Sequence, residues 1–135
     1  MKVLTFGVFD YFHYGHLKLL ERCKQQGDCL IVAVQKSEEI TKTKPNAKVL
    51  YTTKQRMEMV NAIKYVDQVV EYAQVAEDVS RIDFNVLVIG GDQNHVGFQE
   101  AIRWAKEHGK KVCYLARTPN ICSSEIKKEM EIKSK

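Results

Sequence analysis

Two histidines with Gly15 between them, His13 and His16, close the string Gly7-Val8-Phe9-Asp10-Tyr11-Phe12-His13-Tyr14-Gly15-His16. The apolar run Lys2-Val3-Leu4-Thr5-Phe6 before it reads as a short buried strand. Leu17-Lys18-Leu19-Leu20-Glu21-Arg22-Cys23 after it reads as one face of a helix, so the pair falls on a strand-to-helix turn. Backbone N–H groups at a helix start lack partners within the helix and carry the positive end of its dipole, which makes such a turn an anion site. Imidazoles placed there donate hydrogen bonds to phosphate oxygens, and Gly15 leaves room for a ligand to approach closely. The same spacing also suits a helix cap with a surface imidazole.

A second set of polar residues lies near the other end of the chain. Arg117 and Thr118 precede Ser123 and Ser124, which open a helix predicted over 125–132. A guanidinium holds phosphate oxygens in bidentate fashion, and the hydroxyls with free N–H groups complete a cradle. Two anion sites suit a triphosphate stretched between them, with His13 and His16 at the α-phosphate and Arg117, Ser123 and Ser124 at the β- and γ-phosphates. If the acceptor is itself a phosphate, it is already an ionised nucleophile. Nucleotidyl transfer then needs in-line positioning and neutralisation of developing charge rather than a strong base. Asp10 accordingly reads as a residue that fixes the turn and orients a histidine, or meets a metal.

The elements that must carry these residues alternate. The first helix is predicted over 16–26 and stops at Gly27, a natural residue just past a helix end. Cys29-Leu30-Ile31-Val32-Ala33-Val34 is a continuous apolar run of the kind a strand buried on both faces needs. Residues 36–50 lose periodicity, gather lysines and contain Pro45, and so read as a loop, either a solvated surface or a lid carrying lysines to phosphates. Thr52 with Gln55 fits a capping box, and the helix that follows turns Met57, Val60, Ile63 and Met59 inward and ends near Tyr65. Strands over 66–71, 86–89 and 111–116 alternate with a weak helix over 74–81 and one carrying Phe98, Ala101, Ile102 and Ala105 on a single face. That helix closes at His108-Gly109, where His108 suits the negative end of the dipole.

Five strands alternating with helices make one α/β domain over residues 1–135: a doubly wound, mostly parallel sheet covered on both faces. Ligands of such sheets bind beyond the carboxyl ends of the strands, where strand order reverses. The stretches after the first, fourth (Gly90-Gly91-Asp92-Gln93) and fifth strands all fall on that edge.

Composition agrees with a globular domain, with 44% apolar and 28% charged residues. The net charge of +4 is too mild to argue for nucleic acid. No apolar run approaches membrane-spanning length and no leader pattern opens the chain, which points to the cytoplasm. Cys23, Cys29 and Cys113 read as small buried hydrophobes. None of the four cysteines has the spacing of a metal site.

The string G-x-F-D-x-x-H-x-G-H directly after a first strand resembles the signature of the nucleotidyltransferase superfamily that contains the cytidylyltransferases. Over its whole length the chain resembles the glycerol-3-phosphate cytidylyltransferases, through the HYGH turn, the LKLLERCKQQGD helix, KYVDQVV, GGDQ and RTPNICSSEIKK. The resemblance implies a Rossmann-like domain that makes CDP-glycerol and pyrophosphate from CTP and glycerol 3-phosphate, with Mg²⁺, as a homodimer. It makes His13, His16, Lys44 and Arg117 catalytic, with Lys42 on the acceptor. It puts Val8, Phe9, Gly15, Arg56, Gly91, Asp92, Thr118, Ser123 and Ser124 around the nucleotide, and leaves metal ligands unassigned.

The chain departs from that family at three places. Asn120 replaces a motif glycine, Cys122 replaces a serine, and the segment 72–81 is short and lacks a Trp-x-x-Lys element. The last departure opens the acceptor to other phosphorylated small alcohols. An ATP-using adenylyltransferase and a nucleotide-binding regulator without turnover are the competing readings.

Overall fold

Strand β1 (Lys2–Gly7) runs through the middle of a five-stranded sheet in the computed structural model, which describes residues 1–43, 46, 48–91, 93 and 95–115. Chain order continues α1 (Tyr14–Lys24), β2 (Cys29–Gln35), α2 (Ser37–Thr43), α3 (Thr53–Asn61) and β3 (Gln68–Tyr72). It then runs α4 (Val75–Asp78), a 3-10 turn (Val79–Arg81), β4 (Val86–Gly90), α5 (Val96–Glu107) and β5 (Lys111–Leu115). The spatial order is β3-β2-β1-β4-β5 and every pairing is parallel. The chain winds outward from β1 to β3, then crosses back to β4, so the order reverses between β1 and β4. That is the crevice where an open α/β sheet binds its ligand.

Alternation along the strands divides the core in two. Leu4 and Phe6 of β1 pack with Leu87, Phe98, Ala101, Ile102 and Ala105 on the α4/α5 side. Val3 packs with Leu20, Cys23, Val32, Val60 and Val88 on the α1/α3 side. Because both faces are covered, the central strands are apolar at nearly every position, and each fully buried aliphatic side chain contributes about 2 kcal/mol. The edge strands β3 and β5 begin with exposed Gln68 and Lys111, polar ends that discourage further pairing. The four positions predicted for one face of α5 are all buried, and His108 forms its C-cap, stacked on Trp104.

Several expectations need correction. Residues 37–43 are helical, not a loop: Glu38 and Glu39 suit the positive end, Lys42 the negative end, and buried Ile40 anchors the turn. Helix α1 starts at Tyr14, and α3 stops at Asn61, short of Tyr65. Met59 does not enter the core but lines an open groove with Tyr51 and Glu58, whereas Val60 is buried and Met57 and Ile63 pack against it. Cys23 is fully buried, its thiol pushed up to about 12 by burial, while Cys29 and Cys113 are only partly buried. The final helix and Cys122 lie outside the described residues. Among the described residues no helix is long and apolar enough to cross a membrane.

Candidate active site

The turn after β1 is built under strain. Phe9 and Tyr11 both take left-handed backbone angles, with φ of 57° and 51°, at about 1–2 kcal/mol each for residues bearing a Cβ. Gly7 allows this, because a Cβ there would meet the Phe9 ring at 2.6 Å. The Phe9 ring is buried on the α1/α3 side and stands edge-on to His16, ring centroids 5.4 Å apart. The Phe9 side chain is thus spent in the core beside His16.

His13 is the N-cap of α1 and His16 its third residue. The Gly15 N–H donates to His13 Nδ1 at 2.9 Å, and the His13 N–H donates to His16 Nδ1 at 3.3 Å. The two rings stack with centroids 4.0 Å apart. A neutral imidazole with Nδ1 accepting carries its proton on Nε2, so the backbone sets the tautomer of both rings. The result is a pair of neighbouring Nε2–H donors. Burial lowers the pKa of His13; burial, then the charge of His13, lowers that of His16 to about 4. Both rings are thus neutral donors near neutral pH. The Gly15 N–H is spent inside the turn, on His13 Nδ1.

Asp10 is buried and fixes the turn, and no described bond joins it to a histidine. Its two oxygens accept the backbone N–H groups of Leu50 at 2.7 Å and Tyr51 at 3.0 Å, tying the turn to the segment that leads into α3. Arg56 is corrected too. It is fully buried and donates to the carbonyls of Val8, Gln35 and Tyr51 and to the hydroxyls of Ser37 and Thr53. A guanidinium has five N–H donors and all five are used, so none is left for a nucleotide. Val8 serves this clasp through its carbonyl.

Beyond β4, Gln93 spans the crevice. Its Oε1 accepts the Gly90 N–H at 2.8 Å and its Nε2 donates to the Phe6 carbonyl at 2.6 Å, pinning the ends of the two strands between which the order reverses. Sequence reasoning did not single it out as a site residue. His95 caps α5 as His13 caps α1, its Nδ1 accepting the Gly97 N–H at 3.1 Å. A Cβ at Gly97 would lie 2.9 Å from that ring, so the repeated His-x-Gly was the missed signal for a second imidazole cap.

Gly91 lies exposed in the turn after β4. Lys42 stands exposed on α2, its ammonium 3.1 Å from Glu39, and no described contact joins it to the histidines. In the segment that lacks Trp-x-x-Lys, Asp78 is buried and accepts the Ala73 and Gln74 N–H groups while its other oxygen meets Arg81, so that segment closes on itself. Lys44, Asp92, Arg117, Thr118, Ser123 and Ser124 lie outside the described residues. Among the described residues no three His, Cys, Asp or Glu side chains gather as a metal site.

A family model described as cytidylyltransferase-like matches residues 4–129. The glycerol-3-phosphate cytidylyltransferase of Staphylococcus aureus is 36% identical over 132 residues, covering 96% of this chain and 94% of that protein. That of Bacillus subtilis is 35% identical over 133 residues, covering 96% of each. A lipopolysaccharide core biosynthesis protein from Thermoplasma volcanium superposes with a TM-score of 0.70 at 22% identity, covering 87% of this chain and 96% of that one, a likeness of fold. With a family model matched over residues 4–129 and relatives 35–36% identical across 96% of its length, this chain belongs to the cytidylyltransferase-like family.

Proposed function

We propose that this chain transfers a cytidylyl group from CTP to a phosphorylated small alcohol, glycerol 3-phosphate foremost, releasing pyrophosphate. The observation that carries the reading is the stacked histidine pair, with both Nε2–H donors set by backbone bonds, beside the crevice where strand order reverses. An oxygen of the acceptor phosphate attacks the α-phosphorus in line as the bond to pyrophosphate breaks. Charge grows on the α-phosphoryl oxygens, where fixed donors stabilise the transition state more than the ground state. The acceptor enters ionised, so neither histidine need take a proton.

The described side chains do not fit a protein-held Mg²⁺ site, since no cluster forms and Asp10 is engaged by two N–H groups. In this reading the ion arrives on the triphosphate as part of the substrate. Lys44, Arg117, Thr118, Ser123 and Ser124 belong to the proposal as the triphosphate grip, Lys42 as an acceptor contact, and Gly91 and Asp92 as a border of the base. A homodimer and a cytoplasmic setting complete it. Sedimentation tests the dimer by a mass of twice 15.6 kDa.

Pyrophosphate release with CTP or ATP, Mg²⁺ and a panel of phosphorylated acceptors tests the function. Release that requires both CTP and glycerol 3-phosphate supports it. Release with ATP alone, or with CTP and no acceptor, overturns it. Release with CTP and a different phosphorylated alcohol keeps the chemistry and changes the acceptor.

The lowered His16 pKa fixes a sign for pH. A histidine with an ordinary pKa near 6.5 when unfolded and about 4 when folded stabilises the native state fully above pH 6.5, and that stability is lost as pH falls through 4. We expect a loss of about 2 kcal/mol from this group over that window, after allowing for its partial exposure. Denaturant titrations from pH 8 to pH 4 measure it. In the same series kcat/KM should stay flat through pH 6.5, where an enzyme needing imidazolium would lose rate as pH rises.

A further inference from the structure

Arg56 buries a full positive charge, and none of its five hydrogen-bond partners is a carboxylate. Burying a charge is costly; the charge of Asp10 nearby offsets part of that cost, and the neutral partners repay the rest poorly. A buried charge is weak evidence for a stabilising role. What the guanidinium does instead is join four segments. Its Nη1 donates to Val8, the residue before the left-handed Phe9, and to Gln35 at the end of β2, both at 2.8 Å. Its Nη2 reaches Ser37, the first residue of α2, at 2.8 Å and Thr53, the first residue of α3, at 3.4 Å. Its Nε closes on the Tyr51 carbonyl at 3.2 Å, while the Tyr51 N–H is held by Asp10. Asp10 stands within the strained turn, so the loop is closed: turn to Tyr51, Tyr51 to Arg56, Arg56 back to the turn.

We propose that Arg56 is a positioning residue for transfer: with Asp10 it holds the strained turn so that both histidines keep their Nε2–H donors beside the crevice, and it touches no substrate. The proposal rests on the reading of the histidine pair as the transfer site. Strained backbone persists only where its surroundings over-determine it, and the Val8 carbonyl bond is the one polar tie directly before Phe9 among the described bonds. Lysine cannot replace it, because a point ammonium with three donors does not span five acceptors.

The test is Arg56→Lys, read in two ways. ¹⁵N signals of the imidazoles at neutral pH report the tautomers without reference to catalysis. We expect the wild-type protein to show both rings as Nε2–H and the variant to show mixed tautomers. In the transfer assay kcat should fall about 100-fold, the cost of an ångström-scale misplacement, with the KM for CTP changed less than about threefold. A folded variant with both tautomers intact and kcat within about threefold of wild type overturns the proposal. So does a large rise in KM at unchanged kcat, which would make Arg56 a nucleotide contact.

If Arg56→Lys does not fold, Ser37→Ala removes one Nη2 partner and leaves the guanidinium in place. It should move kcat and tautomers in the same direction by about fivefold or more, and unchanged values overturn the proposal. If wild-type protein shows no CTP-dependent release, the proposed function fails, and the ring-nitrogen signals alone decide the positioning role.

Discussion

His16→Ala should lower kcat for pyrophosphate release by about 10³, the loss typical of one preorganised donor to a developing oxyanion. The variant removes one of the two Nε2–H groups and releases the other ring, because His13 stacks on His16 at 4.0 Å and its N–H bonds to His16 Nδ1. KM for CTP should change far less than kcat if the bond strengthens mainly in the transition state. Stability falls too, by about 1–2 kcal/mol, since a cap acceptor is lost and the contacts with Phe9 and Phe12 disappear. His16→Asn separates these effects. Its side-chain oxygen stands near the place of Nδ1 and restores the acceptor for the His13 N–H, but nothing replaces the Nε2–H. Stability should recover while kcat stays low. A His16→Asn protein with wild-type kcat would remove His16 from the chemistry.

Asp10→Ala should cost about 3 kcal/mol of stability, the larger structural effect of the two. The carboxylate is buried and takes two backbone N–H groups, and leaving such donors without a partner costs about 1–3 kcal/mol each, partly recovered where water enters. The charge of Asp10 also offsets that of buried Arg56, against the burial that lowers the arginine's pKa. Removing it leaves the guanidinium facing neutral oxygens alone. Asp10→Asn keeps one acceptor and should lose about half as much. Urea titrations of the three proteins measure the series. An alanine variant within about 0.5 kcal/mol of wild type would show that the link from turn to α3 carries no stability. Activity should fall in the same order, because the segment Asp10 holds leads to the clasp that fixes Val8.

Much of this was legible in local sequence. Continuous apolar runs at residues 29–34 and 86–89 marked central strands, since only a strand covered on both faces lacks polar alternation. The stripe Phe98, Ala101, Ile102, Ala105 marked a helix face, and Thr52 with Gln55 marked the start of α3 to the residue. The histidine turn was readable both as anion site and as cap; the structure shows the cap, and its bonds set the tautomers on which the proposed anion site depends. Helix α2 was missed because seven residues carry little periodicity, and its stability comes from Ile40 and from end charges.

That Asp10 fixes the turn was legible, but its partners, and the roles of Arg56 and Gln93, were not, for a common reason. Each acts on backbone atoms distant in sequence: Leu50 and Tyr51 for Asp10, Val8 and Gln35 for Arg56, Phe6 for Gln93. A carbonyl or N–H has no letter in the sequence, so its partner cannot be inferred from residue types. By itself the sequence determined the alternating elements, the crevice edge and the residue types able to hold phosphate, all consequences of local periodicity and turn chemistry. Only the tertiary structure decided that charged side chains such as Asp10 and Arg56 are consumed in building the turn, because burial and backbone pairing exist only once the strands are side by side.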